Sequence, residues 1–372
     1  MGILDFPNEL LFWVAENLST GDLAKFRSAS RELYVALTSR YEKICLEDIG
    51  ELSALQWAAV RGHVELIELA ISNGAEIDKP LRGMLAETAP RISDRSRLIC
   101  KLANRLERCT ETKDSMARTP LHLAACAGQV GAIKALLRLG ASMQCSGEID
   151  TPAHLSAYSG DVNCMRAFID AGFDINTRGW GGRTILHEAR CGGVDMIMYL
   201  LEQGGGEALV NARDSLQRTP LHWVVGSHDI RERKVMAELL LQHGADIHAR
   251  DYLEDTPAHH AASMDDVDTM RVLIAAGSDF EAKGHLGRTI LHLALYNRTQ
   301  GMMEYLLGKE GGRGIIHVGD DNGRTPLDHA VRFQARGIMY NWDGYGSTPL
   351  NHAVRIPAGE NIRLKLLLDA VR

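Results

Sequence analysis

The tetrapeptide Thr-Pro-Leu-His at Thr119–His122 returns at Thr219–His222, with close variants between and beyond. Those variants begin at Thr151, Thr184, Thr256, Thr289, Thr325 and Thr348, so successive starts lie 32, 33, 35, 37, 33, 36 and 23 residues apart. A period near thirty-three residues is too short for a domain. It fits one supersecondary unit that buries its apolar face only against its neighbours, which makes a stacked array the natural fold.

Each part of the unit has a physical task. The threonine caps a helix, and proline at the first helical position gives up an N–H that the helix does not use. Small residues such as Ala124 and Ala125 follow, then a turn glycine, Gly128, then a second apolar stretch with Ile133, Leu136 and Leu137. The second stretch stops at Gly140-Ala141, with matching stops at Gly74-Ala75, Gly172 and Gly244-Ala245, where a helix end needs a left-handed residue. One unit is therefore helix, turn, helix, loop, and the predicted fold class is all-α.

The in-phase Thr-Pro-Leu-His copies resemble the ankyrin repeat over residues 50–372, which implies a solenoid of about eight or nine helix pairs. An additional copy stands at Ser53–Gln56 with Ala58, Ala59 and Gly62, 66 residues before Thr119, so a degenerate repeat or irregular joint is expected over 79–114. There Leu98, Ile99, Leu102 and Leu106 make one helical stripe. The interval from Thr325 to Thr348 is short, and Gly337–Gly346 reads as loop. Leu364 and Leu366–Leu368 suit a final helix that closes the array.

Residues 1–45 have a different pattern. Pro7 opens a helix with Leu10, Leu11, Val14 and Leu18 on one face, and Thr20 and Ser30 can cap two more. The order Pro7, Glu9, Leu10, Val14, Leu18, Asp22-Leu23, Ser30-Arg31 and Tyr34 resembles the F-box, with Phe6 where that family wants Leu and Tyr34 where it often has Trp. The resemblance implies that Pro7, Leu10, Val14 and Leu18 dock a Skp-type adaptor, which joins the chain to a cullin scaffold while the repeats hold a protein substrate for ubiquitin transfer. A second reading has the same apolar face only capping the solenoid, in a non-catalytic scaffold or inhibitor.

Composition narrows the function further. A net charge of -7, from 41 basic and 48 acidic residues, offers no general attraction to nucleic acid or anionic lipid. Seven cysteines without a CxxC pair suit reduced thiols in a cytoplasmic or nuclear protein, and the stretch Leu10–Ala15 is too short for a signal or spanning helix. Fifteen histidines invite a metal reading. His122, His154, His187, His222, His259 and His292, however, recur at one repeat position near a helix start, where local hydrogen bonding is expected and ligands do not converge. No nucleophile stands beside a base and no Walker pattern occurs, so neither an enzyme nor a cofactor is expected.

The candidate substrate contacts are the arginines just before the capping residue in five copies: Arg118, Arg183, Arg218, Arg288 and Arg324. A row of them would favour an acidic partner. The competing reading places Asp150 and Asp255 in salt bridges with their arginine neighbours.

Overall fold

The computed structural model describes residues 54–72, 74–80, 118–144, 150–203, 206–226, 232–296, 301–330, 366–367 and 369–370, and no strand occurs among them. The helices come in pairs. They are α1 (Ala54–Arg61) with α2 (Val64–Ser72), α3 (Pro120–Ala127) with α4 (Val130–Arg138), α5 (Pro152–Ser159) with α6 (Val162–Asp170), and α7 (Ile185–Gly192) with α8 (Val194–Glu202). After the short α9 (Gly206–Val210) follow α10 (Pro220–Val225) with α11 (Arg233–Gln242), α12 (Pro257–Ser263) with α13 (Val267–Ala275), and α14 (Ile290–Ala294) with α15 (Gly301–Leu307). A short helix, α16 (Glu310–Gly314), and a 3-10 turn at Ile315–His317 come next.

The two helices of a pair differ in kind. In α3 every residue from Pro120 to Cys126 is buried, so the helix is covered on all sides, and its alanines allow neighbours to approach. The second helix is amphipathic. In α4, Ala132, Ile133, Ala135 and Leu136 are buried while Lys134 and Arg138 are exposed. The same phase recurs in α6, where Cys164, Met165, Ala167 and Phe168 are buried, and in α11, where Met236, Ala237 and Leu240 are.

The pair ends as the glycines foretold. Gly74, Gly140, Gly172, Gly244 and Gly277 all have φ between 84° and 97°. Nothing lies within 4 Å of a Cβ built on any of them, so backbone conformation and not space is what calls for glycine there. At Gly140 the turn is closed by Ala141 N–H donating to the Leu136 carbonyl at 2.9 Å.

Two compact units divide the chain. One takes in the described residues through Ser156 together with Asn163–Phe173, and the other takes in Ala157–Val162 and the described residues from Asp174 onward. In the first unit α1 packs on α3 and α2 on α4. In the second, α7, α10, α12 and α14 form a layer of first helices, and α8, α11, α13 and α15 a layer of second helices. The F-box-like segment 1–45, nearly all of the joint at 79–114 and the loop Gly337–Gly346 lie outside the described residues. Of the last helix, Leu366 and Leu367 are described as helical, with Leu367 fully buried.

Among the described residues Phe168 is the largest fully buried side chain, and Phe173 meets it edge-on with ring centroids 6.5 Å apart. Phe168→Ala should lower unfolding free energy by about 3–5 kcal/mol, while Lys134→Ala on the exposed face of α4 should change it by less than about 0.5 kcal/mol. Urea denaturation followed by circular dichroism separates the two, and equal effects would contradict this placement of the core.

Candidate functional site

The motif histidine is the joint between successive repeats. In α3, α7, α10, α12 and α14 the threonine hydroxyl accepts from the histidine N–H, and the histidine ring accepts from the threonine N–H. The second contact, Thr N–H to Nδ1, measures 3.0–3.2 Å in all five. Nδ1 is thus an acceptor, which leaves the proton on Nε2. From there it is donated across to a main-chain carbonyl of the next repeat. His122 reaches Asp150 at 3.1 Å, His187 reaches Arg218 at 3.1 Å, His222 reaches Asp255 at 3.2 Å, His259 reaches Arg288 at 3.1 Å, and His292 reaches Arg324 at 3.0 Å. His154 keeps the local part, its Nδ1 standing 2.8 Å from Thr151 Oγ1.

A second device shapes the loop that leads into each first helix. Asp214, Asp251 and Asp320 each accept with Oδ1 from the N–H groups two and four residues on, at 2.8–3.0 Å. Their Oδ2 atoms accept from a ring N–H nine residues on: Trp223 at 2.8 Å, His260 at 3.0 Å and His329 at 2.9 Å. Where the same position is Gly179 or Gly284, the residue nine on is Glu188 or Leu293, neither of which has a side-chain N–H to donate. In these five loops of the second unit the loop carboxylate and the ring donor occur together.

The five motif arginines are placed unequally. Arg118 and Arg183 are only 6% and 5% exposed. Arg183 donates to Glu188 at 2.8 Å, and its guanidinium stands 4.6 Å from the ring centres of both Trp180 and Trp223. Arg218, half-buried, lies 3.8 Å from Asp251 and 5.4 Å from the Trp223 ring, and Arg190 stacks on the same ring at 4.4 Å. Arg288 lies 5.6 Å from Tyr296, and Arg324 is half-buried at the end of its loop. The partners of Arg183 and Arg218 named here are Glu188 and Asp251, whereas Asp255 accepts from the His285 N–H at 2.8 Å.

Sequence reasoning missed a row of cations six residues before the capping threonine. Arg178 donates to the carbonyl of Arg213 at 2.7 Å, Arg213 to that of Arg250 at 2.8 Å, Arg250 to that of Lys283 at 2.7 Å, and Lys283 to that of Gly319 at 2.7 Å. All four are exposed. The signal was legible, since Arg178, Arg213, Arg250 and Lys283 follow the period of the motif itself. Among the described residues, no group of three or more histidine, cysteine or acidic side chains is placed to hold a metal ion, and no helix is long and apolar enough to cross a membrane.

Burial dominates the titration of the motif histidines. It pushes His122 and His187 down to about 4 and His222 to about 3, and it lowers His259 and His292, outweighing the carbonyl each ring donates to. Below pH 6.5 the unfolded chain takes up protons that the folded chain refuses, so stability should fall from pH 6.5 toward 4. Each such histidine contributes up to about 1.4 kcal/mol per pH unit. Asp251, Asp266 and Asp320 are lowered too, although burial opposes it, because side-chain and main-chain donors, with positive charge from His260, Arg233 and His329, favour the carboxylates. Their contribution is present above about 3.8 and is lost as pH falls below it. Urea midpoints should be flat from pH 7 to 8 and clearly lower at pH 5, and equal midpoints at pH 7 and 5 would contradict buried neutral imidazoles.

Comparison with known proteins adds the following. The chain is 30% identical over 162 residues to an L-asparaginase of Dirofilaria immitis, a match that takes in 43% of this chain and 26% of that protein. It therefore spans about a quarter of the length of that curated relative. Among solved structures it is similar to the human ASB11 ankyrin repeat domain, at 20% identity with a TM-score of 0.48, covering 69% of this chain and 98% of that one. It is also similar to the ankyrin repeat domain of Bcl-3, at 26% identity with a TM-score of 0.48, covering 70% and 99%. A family model described as ankyrin repeats in three copies matches in overlapping placements at 91–179, 121–213, 154–251, 205–284 and 258–340. Since those placements together run over 91–340, about two thirds of the 372 residues, and the Thr-His capping geometry recurs through them, the chain belongs to the ankyrin-repeat family.

Proposed function

We propose that this chain is the substrate-recognition subunit of an SCF-type cullin ubiquitin ligase, working in the cytoplasm or nucleus. Ankyrin repeats are protein-interaction units, and that coarser role follows from the family. The finer reading is carried by one observation, the F-box-like residue order at Phe6–Tyr34 directly ahead of the array. In this reading Pro7, Leu10, Val14 and Leu18 hold the Skp-type adaptor, and the array holds a protein substrate without performing chemistry on it.

Of the five motif arginines, Arg218, Arg288 and Arg324 are half-exposed and suit direct contact with an acidic partner. Arg118 and Arg183 are buried, and Arg183, which shares the Trp223 ring with Arg218, suits support of that surface. The runner-up, a non-catalytic scaffold or inhibitor whose N-terminal helices cap the array, differs in needing no adaptor.

Leu10→Asp with Val14→Asp should abolish co-purification of the adaptor while circular dichroism of the array is unchanged, because a few central apolar residues dominate such interfaces. Undiminished adaptor binding by the folded double mutant would sink the ligase reading and leave the scaffold reading standing. Arg218→Glu, Arg288→Glu and Arg324→Glu together should release the substrate but keep the adaptor. Full retention of a verified substrate at low salt would remove those arginines from the site.

A further inference from the structure

The cations of the second unit join successive loops, and they also present one row of positive charge to solvent. Arg178, Arg213, Arg250 and Lys283 lie one repeat apart on exposed loops and donate to neutral carbonyls; Arg250 also has a carboxylate neighbour, whereas the bonds of Arg178, Arg213 and Lys283 all go to carbonyls, which leave the positive charge uncompensated. Arg178 also donates to the Gly182 carbonyl at 2.7 Å and Arg250 to that of Glu254 at 3.2 Å, so the cations sit beside the tips of their own loops. One guanidinium nitrogen does this work in each arginine, and the planar fork has further N–H donors for an anionic acceptor. Of the carboxylates near in sequence, Asp214 and Asp251 are buried against Trp223 and His260, Asp255 accepts from His285, and Asp174, Asp246 and Asp279 each accept from the N–H two residues on, while Glu281, two residues from Lys283, is exposed. Glu254 is paired with Arg250, at 3.5 Å.

The loop tips beside this row are apolar and exposed. Leu216, Tyr252 and Leu286 are 40%, 55% and 45% exposed. The tips are tied to one another, Tyr252 N–H donating to Leu216 at 2.9 Å and Asp321 N–H to Leu286 at 3.0 Å. Leu286 holds its exposed position at φ 59°, a left-handed conformation that disfavours leucine, so neither burial nor backbone preference accounts for it.

We infer that these loop tips form a docking strip for an extended acidic segment of another protein, its carboxylates received by the four cations and its apolar side chains by the tip residues. The inference rests on the protein-binding reading above and names the chemistry of the partner. Neighbouring helix pairs stack about 10 Å apart, and an extended chain in the polyproline II form advances about 3.1 Å per residue with three residues per turn, so a carboxylate at every third residue lies on one face and meets successive cations. About ten residues span the row. Cations already held by the fold lose little freedom on binding, which favours capture of a segment that is itself unstructured. The exposed Leu216 and Leu286 beside the cations match the apolar side chains of a peptide and have no counterpart in a phosphate backbone.

The test uses the full-length chain and a fluorescein-labelled peptide of about twelve residues with aspartate at every third position and leucine and alanine between. A peptide with lysine for aspartate and an oligothymidylate of equal charge serve as comparisons, all read by fluorescence anisotropy at low and high salt. The acidic peptide should bind in preference to both. Arg213→Gln with Arg250→Gln should weaken it about tenfold at low salt and about twofold at high salt. Arg213→Lys with Arg250→Lys should bind nearly as the parent does, since Lys283 shows that lysine makes the same bond. Should the glutamine pair fail to fold, Leu216→Ser with Tyr252→Ser, which leaves the cations untouched, should still weaken binding several-fold. Equal binding of the lysine peptide, tighter binding of the oligonucleotide, or folded glutamine and serine variants that bind like the parent would overturn the strip. Those results leave adaptor capture unaffected, so the strip and the ligase reading fail separately.

Discussion

The hydrogen bond from the motif histidine to the next repeat's carbonyl is the interaction on which the regular part of this fold depends. A helix pair of about thirty residues cannot bury enough apolar surface to stand alone, so its geometry must be set by its neighbour. Five imidazoles do this in the same way, with one nitrogen capping the helix and the other reaching the loop that follows. The arrangement works only for a neutral ring with its proton on Nε2. Burial lowers the affinity of the ring for a second proton, and so keeps it in the state that the joint needs.

With the loops pinned at their base, the rest of each loop can be built by other means. Asp214, Asp251 and Asp320 fold the turn around one oxygen and tie it to the first helix through the other. The cations then stitch one loop to the next through carbonyls. Each layer uses a polar group at a fixed offset from the capping threonine. The loop surface is therefore rigid without a strand or an apolar core of its own, and its tip residues are released from any role in packing.

This division of tasks separates the residues that build the repeat from those that differ among repeats. The helix faces that carry Ile133, Phe168, Ile197 and Leu240 are buried and interchangeable in kind. Trp180, Arg183, Arg190 and Trp223, by contrast, form one stack of rings and guanidinium groups found at a single place in the second unit. Cation–π contact helps an arginine to be buried, because the ring face supplies part of the attraction that water gave up. The motif positions of Arg183 and Arg218 are equivalent in sequence, yet one is enclosed by two indoles and the other lies half-open beside Asp251.

The sequence by itself determined the helix pairs, their caps, the glycine stops and the local role of the histidines, because each follows from residues within one period of about thirty-three. Thr119 and His122 are three apart, and Gly140 acts on its own backbone. The cation row was also present in the sequence, at six residues before each threonine, but its meaning was not, since a donor's acceptor lies one repeat away. The tertiary structure alone decided which arginines are enclosed, which carboxylates face inward, and that Asp251 serves His260 while Asp255 serves a main-chain N–H. Those outcomes turn on distances between loops 33 to 37 residues apart in the chain, which period and residue type do not specify.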